Sequence, residues 1–322
     1  MPHRSNRSPI PLGVAVRDYG IYLALITLIL FFSISIPEFR TWDNALLILL
    51  QVSVIGVIAV GMTFTIITAG IDLSVGSLLA VAGIFSGVFA QRDPTPFNIT
   101  MAFSTPIAIG LLGGGLNGAI IAGAGVNPLI VTLGTLTAFR GFVVWYRVNP
   151  IYDLQPYYSI VGQGTVLGIP VPVIILALVA IAAWIVLTFT RYGRYVYAVG
   201  GNREAARAAG INVELIIFSV YVISGLTVGI AALIYTSRLM AAQAISGQGF
   251  ELQAIAAAVI GGASLFGGRG RISNTIVGAI IMGVLFNGFV MLNVPQPIQQ
   301  MFVGVIIIVA VWLDGFVRKR RR

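Results

Sequence analysis

The sequence contains no cysteine, a single histidine, His3, and a single lysine, Lys319. Disulfides and cysteine-based metal sites are therefore excluded. One histidine at the start of the chain leaves no imidazole to activate a nucleophile further along. The serine of "GGASLFGG", Ser264, has no such partner, and its glycines read as close helix packing or as a break. With no lysine before position 319, no G-x-x-x-x-G-K-[ST] phosphate loop is possible, so the chain cannot hydrolyse ATP by that route. Charge is scarce as well, at 9% of residues, with ten acidic side chains in all.

What the chain has is apolar length. Hydrophobic residues make up 58% of its 322 positions, and the mean hydropathy is +0.98. That composition leaves too little polar surface to coat a soluble globule of this size. A membrane-crossing helix needs ~20 mainly apolar residues, and alternating barrel strands are absent, so the class is an all-α polytopic membrane protein. Ten apolar segments are expected, at roughly 19–36, 45–69, 73–90, 101–124, 128–147, 170–189, 215–236, 252–266, 272–292 and 298–316. Residues 1–18 read as a cytoplasmic leader, 19–316 as the membrane domain with a cytoplasmic loop at 190–214, and 317–322 as a basic cytoplasmic tail. The first segment is expected to be an uncleaved helix and not a signal peptide, because its run is long and no A-x-A site follows.

Basic residues orient the segments, since they accumulate on the cytoplasmic side. Ten crossings that start inside place Arg4, Arg7, Arg17, Arg191, Arg194, Arg203, Arg207, Arg269, Arg271 and the tail "RKRRR" in the cytoplasm. Only Arg40, Arg92, Arg140, Arg147 and Arg238 fall outside or near the outer ends, so both termini are expected inside. The tail then reads as a topological anchor beside anionic lipid and explains the net charge of +9 without nucleic acid.

One charged island interrupts the apolar runs, "GGNREAARAAGINVE". Asn202 is a good N-cap, Glu204 puts negative charge in the first turn, alanine and arginine favour helix, and Gly210 suits the position after its end. Arg203 and Arg207 share one side at helical spacing, while Ala205 and Ala206 leave other faces small. Such a short helix can dock in a groove of another protein; it can equally be an ordinary solvated loop helix.

Among acidic residues within apolar tracts, Asp72 in "TAGIDLSVGSLLAVAG" is the one that matters. It belongs either to a translocation path or to a turn between two crossings, with Asp72 or Ser74 capping the next helix. Glu251 is expected to cap the eighth segment. Gly83/Gly87, Gly110/Gly114/Gly118 and Gly225/Gly229 form small-xxx-small ladders for close helix packing. The glycines from 261 to 270 crowd a segment too short for a full crossing, which points to a half-helix or re-entrant element. A loose echo between 61–76 and 262–278 is a weak sign of internal duplication.

Three stretches, "AVGMTFTIITAGIDLSVGSLLA", "RYGRYVYAVGGNREAARAAGINV" and "GFELQAIAAAVIGGASLFGGRGRISNTIVGA", resemble hallmark segments of the ribose-type permeases of bacterial ABC sugar importers. The resemblance runs from Tyr19 to about Leu313. It implies a bacterial inner-membrane permease subunit, working with an ABC ATPase, a periplasmic sugar-binding protein and a second permease, identical or paralogous. Residues 202–210 would be the coupling helix, with Gly201, Asn202, Arg203, Glu204, Ala205, Ala206, Arg207 and Gly210 as its ATPase-coupling set. ATP and magnesium would be used by the partner, with no cofactor bound here. The segment 148–169, with Tyr152, Asp153, Gln155, Tyr157, Tyr158 and Gln163, would be the docking platform for the binding protein. Because a sugar is uncharged, its path needs polar groups and no counter-charge: Asp72, Ser74, Asn117, Asn127, Ser264, Asn274 and Asn287 are the candidates, each alternatively an interhelical hydrogen bond. Two rivals stay open: the same architecture carrying another solute, such as a hexose or a signalling furanone, and an ion-coupled secondary sugar carrier.

Overall fold

A computed structural model describes residues 12–319, without the side chains of residues 12–19, 310 and 313–319. The start of the leader, with His3, Arg4 and Arg7, and the basic side chains of the tail lie outside the described residues. The first five helices are α1 (Leu12–Ser35), α2 (Trp42–Ile67), α3 (Val75–Ala90), α4 (Pro96–Gly123) and α5 (Pro128–Tyr146). A loop follows that holds the one-turn α6 (Ile160–Gln163) and a two-residue hairpin, β1 (Thr165–Val166) with β2 (Ile169–Pro170). Leu167 and Gly168, both at positive φ, make the hairpin turn. The remaining helices are α7 (Val171–Phe189), α8 (Arg191–Gly201), α9 (Arg203–Ala208), α10 (Val213–Leu239), α11 (Phe250–Ile260), α12 (Ile272–Met291) and α13 (Gln296–Lys319).

Helices overlie all ten expected segments. Among the described residues six of them, α2, α4, α5, α7, α10 and α12, are long and apolar enough to cross a membrane. The eighth is shorter than expected, ending at Ile260 instead of 266, because Gly262 turns to φ +83° just beyond it. The loop 190–214 holds two helices where one was expected. Thr190 Oγ1 accepts the Gly193 amide at 3.1 Å to start α8. This helix buries Val196 and Val199 while exposing Arg191, Arg194 and Tyr195, so it lies on the bundle as an amphipathic element.

Helices α2 and α10 form the centre, and glycine decides how closely α10 meets α4. A Cβ on Gly110 would stand 2.2 Å from the Gly225 carbonyl, and one on Gly114 2.3 Å from the Tyr221 carbonyl. The two ladders therefore interlock backbone to backbone, which lets dispersion contacts replace a hydrophobic driving force that lipid does not supply. Pro106, inside α4, has no N–H for the Ala102 carbonyl one turn earlier. Ser86 of α3 donates its hydroxyl to that carbonyl at 2.6 Å and so fastens α3 to α4.

Candidate functional site

The island begins as the sequence implies. Asn202 Oδ1 accepts the Ala205 amide at 3.0 Å. At the other end Gly210, at φ +80°, donates to the Arg207 carbonyl, and Ile211 to that of Ala206. Gly201, Asn202, Arg203, Glu204, Ala205, Arg207 and Gly210 are all exposed, which leaves a small, smooth knob projecting from the bundle. Ala206 departs from the expected contact set. It is only 4% exposed and belongs to the buried apolar cluster that includes Val196, Val199 and Val213, so it seats the knob on its own chain and offers nothing to a partner. Nor do the two arginines act as one side. Arg203 Nη2 donates to the Thr68 carbonyl at 3.2 Å, whereas Arg207 pairs with Glu214 on the surface, where water screens the attraction.

What seats the island is glycine. A Cβ on Gly200 would lie 1.7 Å from the Ile67 carbonyl oxygen, so no other residue fits there. The same carbonyl accepts the Gly268 amide at 2.8 Å, and the Tyr197 hydroxyl donates to the Gly270 carbonyl at 2.7 Å. The island, the turn after α2 and the glycine-rich break before α12 thus meet at one end of the bundle. The two stretches of the loose sequence echo touch here, although Gly61 lies within a helix and Gly262 within the break.

Directly behind that contact lies a buried polar node. Asp72 is fully buried; its Oδ1 accepts the Ser74 amide at 3.1 Å and the Ser74 hydroxyl at 2.6 Å, and its Oδ2 accepts the Ser224 hydroxyl of α10 at 2.8 Å. Asn117 of α4 donates to Ser74 Oγ at 2.8 Å. The Ile71 carbonyl accepts Tyr221 and Thr132 hydroxyls at 3.2 and 3.3 Å, the latter from α5. Asp72 makes the short side-chain-to-backbone bond expected of a turn. Ser74, at the cap position, makes no capping bond, since its hydroxyl is turned to Asp72. Glu251 likewise accepts the Gly249 amide, at 3.3 Å, at the start of α11.

The other path candidates stand apart. Asn127 is exposed and caps α5 through the Leu129 amide at 2.9 Å. Ser264 is buried in the break, where its Oγ accepts the Phe266 amide at 3.4 Å. Asn274 accepts from its neighbour Ser273 at 3.3 Å. Asn287 is buried on α12 and donates to Asn44 Oδ1 at 2.8 Å. Only Asp72, Ser74 and Asn117 touch one another, so the seven residues line no common channel within one chain. Asn117 and Asn287 each donate one bond to another helix or turn, while the Oδ1 of each is buried without a partner among the described residues; the others bond locally.

The expected docking loop also divides. Tyr152 and Asp153 are exposed, and Gln155 and Tyr157 half-buried. Tyr158 is fully buried, with its hydroxyl against Ser86 and its carbonyl taking the Ser237 hydroxyl, so it holds the loop down and cannot meet a partner. Further ties are the Ile151–Ala242 bridge, Gly162 N to Ser237 Oγ at 2.8 Å, and Gln163 Nε2 to the Arg238 carbonyl at 3.0 Å.

A cavity of about 200 Å³ opens between α2, α10, α11 and α12. Its polar lining includes Gln51, Arg238 and Gln253; from the sequence Arg238 entered only as an outer-end charge and the two glutamines not at all. A signal was present: Gln51 is the single amide side chain in the run "ALLILLQVSVIGV", whose other polar group, Ser53, bonds back to the Leu49 carbonyl at 2.8 Å.

Residues 44–311 match the family described as "Branched-chain amino acid transport system / permease component". The chain belongs to this family. It is therefore a multi-pass membrane permease. It is 40% identical over 323 residues to the ribose import permease protein of Haemophilus influenzae, covering 99% of both chains. The ribose import permease protein of Bacillus subtilis is 43% identical over 302 residues, 93% of each chain. The D-allose transport system permease protein of Escherichia coli is 38% identical over 317 residues, 98% of this chain and 97% of that one. No solved structure matches the permease.

Proposed function

We propose that this permease is the membrane subunit of an ATP-driven importer of a monosaccharide, a ribose-like pentose or a close relative, in the bacterial inner membrane. The observation that carries the reading is similarity to ribose import permeases along nearly the whole of both chains. The ten apolar helices all cross, with both termini and the island end cytoplasmic and the loop 148–169 on the outer face. The chain binds no cofactor. ATP and magnesium act on a separate ABC ATPase, in keeping with the missing phosphate loop. A binding protein delivers the sugar, and a second permease, identical or paralogous, completes the pathway.

The exposed knob is the contact for the ATPase. Its connections supply the transmission: Arg203 to Thr68, and Gly200 and Gly268 to the Ile67 carbonyl, tie it to the end of α2. A displacement of the knob is carried as a rigid-body shift into the turn at 68–74, and the polar node passes it to α4, α5 and α10. Closure of the ATPase pair on ATP then moves two such islands together and changes which face of the shared pathway is open.

The test is co-purification from native membranes in mild detergent. An ATPase should accompany the wild type and be lost when 202–210 is replaced by a glycine-serine linker. A permease that comes alone, under conditions where a control importer stays assembled, would overturn the reading in favour of a stand-alone carrier.

A further inference from the structure

The node around Asp72 and the cavity between α2, α10, α11 and α12 both gather polar side chains inside the bundle, and they differ in one respect. In the node the hydroxyls and the carboxylate are bonded to one another. In the cavity, neither the Gln51 nor the Gln253 amide engages any protein group among the described residues. Among the described residues Arg238 has no carboxylate partner and only a long bond, Nη1 to the Leu50 carbonyl at 3.5 Å. Two half-buried amides and a guanidinium thus converge on one space among Tyr235, Phe250 and Phe286, on an otherwise apolar wall, with hydrogen-bonding capacity that the described protein groups leave largely unused.

We infer that this cavity is a binding site for one neutral monosaccharide ring, with Gln51, Arg238 and Gln253 as its hydroxyl-binding groups. The inference rests on the sugar-permease reading and gives that reading a site. Its size agrees: about 200 Å³ falls below the ~300–1,000 Å³ of drug-sized pockets and suits a single small ring. Its chemistry agrees too. Each amide offers an acceptor and two donors and the guanidinium five donors, which matches a polyol whose hydroxyls both give and accept. The aromatic pair Tyr235 and Phe250, edge to face with centroids 5.4 Å apart, supplies apolar surface for the C–H face of a ring. One cation is too few for a sugar phosphate, whose two charges call for paired basic groups.

Position gives the site a role. Arg238 is in the last turn of α10, and that turn holds the outer loop through Ser237 to Gly162 and the Arg238 carbonyl to Gln163. The cavity therefore lies beside the attachment of the proposed docking platform, where a sugar released by a binding protein would first enter the membrane domain. It serves as the first station of the pathway.

The experiment uses the complete importer in proteoliposomes, with D-ribose, D-xylose and D-allose as labelled probes and the ATPase rate recorded in parallel. In the double variant Gln51→Leu/Gln253→Leu, uptake of the preferred sugar should fall on the order of tenfold, the loss of two hydrogen bonds, while binding-protein-stimulated ATPase activity persists. Saturation-transfer NMR on the solubilised permease should show that sugar's resonances with wild type and not with the variant. Arg238→Lys should keep part of the uptake and Arg238→Met less. Unchanged uptake in a double variant that melts like wild type would overturn the site. So would native mass spectrometry showing an anionic phospholipid lost on Arg238→Met while uptake stays normal, which would make the cavity a lipid site. If wild type moves none of the three sugars, the sugar reading itself fails and the site with it; if wild type transports and the variants do too, the site alone fails.

Discussion

Helix α10 passes two sets of polar side chains, one near each end, and they are built on opposite terms. Near the island, Tyr221 and Ser224 face the turn at 68–74, and their hydroxyls are committed to Ile71 and Asp72. Near the other end, Tyr235 and Arg238 border a cavity whose two glutamines have no protein partner among the described residues. Both sets sit in a chain with few charges, and polarity alone would not tell them apart. The difference is how far the hydrogen bonds close within the protein: around Asp72 the carboxylate and hydroxyls bond one another and the Asn117 Oδ1 is left over, whereas in the cavity both glutamine amides are. A closed set joins helices; an open one is available to a ligand.

The comparison is sharpened first where helices touch backbone to backbone. Gly225→Val places branched carbon at a position where even a Cβ would be 2.0 Å from the Gly110 carbonyl. We expect a loss of ~3 kcal/mol or more and no monodisperse peak in fluorescence-detected size exclusion. Asp72→Ala comes next, since it strands the Ser74 amide and hydroxyl and the Ser224 hydroxyl, at about 2–4 kcal/mol, read as a lowered melting midpoint in detergent. Asp72→Asn, which keeps an oxygen acceptor, should lose roughly half of that. Gln51→Leu/Gln253→Leu should leave the midpoint where it is; a drop as large as that of Asp72→Ala would erase the distinction between closed and open sets.

The island allows a second, smaller contrast. Ala205→Trp, on the exposed face, should leave stability intact while separating ATP hydrolysis from uptake in the reconstituted importer. Ala206→Trp, on the buried face, should lower the melting midpoint, because a ring must be forced into the closed apolar cluster that holds Ala206. Normal coupling in the first variant would remove that face from the proposed contact. Smallest of all is Tyr158→Phe, which deletes the hydroxyl contact with Ser86 at about 1 kcal/mol and should not change affinity for the binding protein in a surface-plasmon assay, whereas Tyr152→Ala should weaken it.

Much of this was legible in the linear chain because its signals are local. Asn202 caps and Gly210 ends a helix by interactions spanning three or four residues, and apolar runs of the right length are sufficient to place the helices. The α8 helix escaped notice because its stretch, "RYGRYVYAVGG", carries two arginines and three glycines and shows its apolar face only when wound at helical period. Ala206 was assigned to the wrong side because four alanines in six positions give no indication of which one faces inward. Tyr158 was misread for a related reason: next to Tyr157 it looks like one aromatic surface, and only the carbonyl freed by Pro106, with Ser86 beneath, explains why it is drawn in.

The sequence by itself determined that this protein lives in a membrane as a helical bundle, that it carries no phosphate loop or histidine chemistry, that a capped charged island interrupts it, and where its glycine ladders lie. These are properties of composition and short-range pattern. Tertiary structure decided that Gly200 must be glycine, that Asp72 accepts from Ser74 and from Ser224 of α10, and that Gln51, Arg238 and Gln253 face one space. Each of those depends on residues far apart in the chain, 152 positions between Asp72 and Ser224, brought to hydrogen-bonding distance by helix packing that no local pattern encodes.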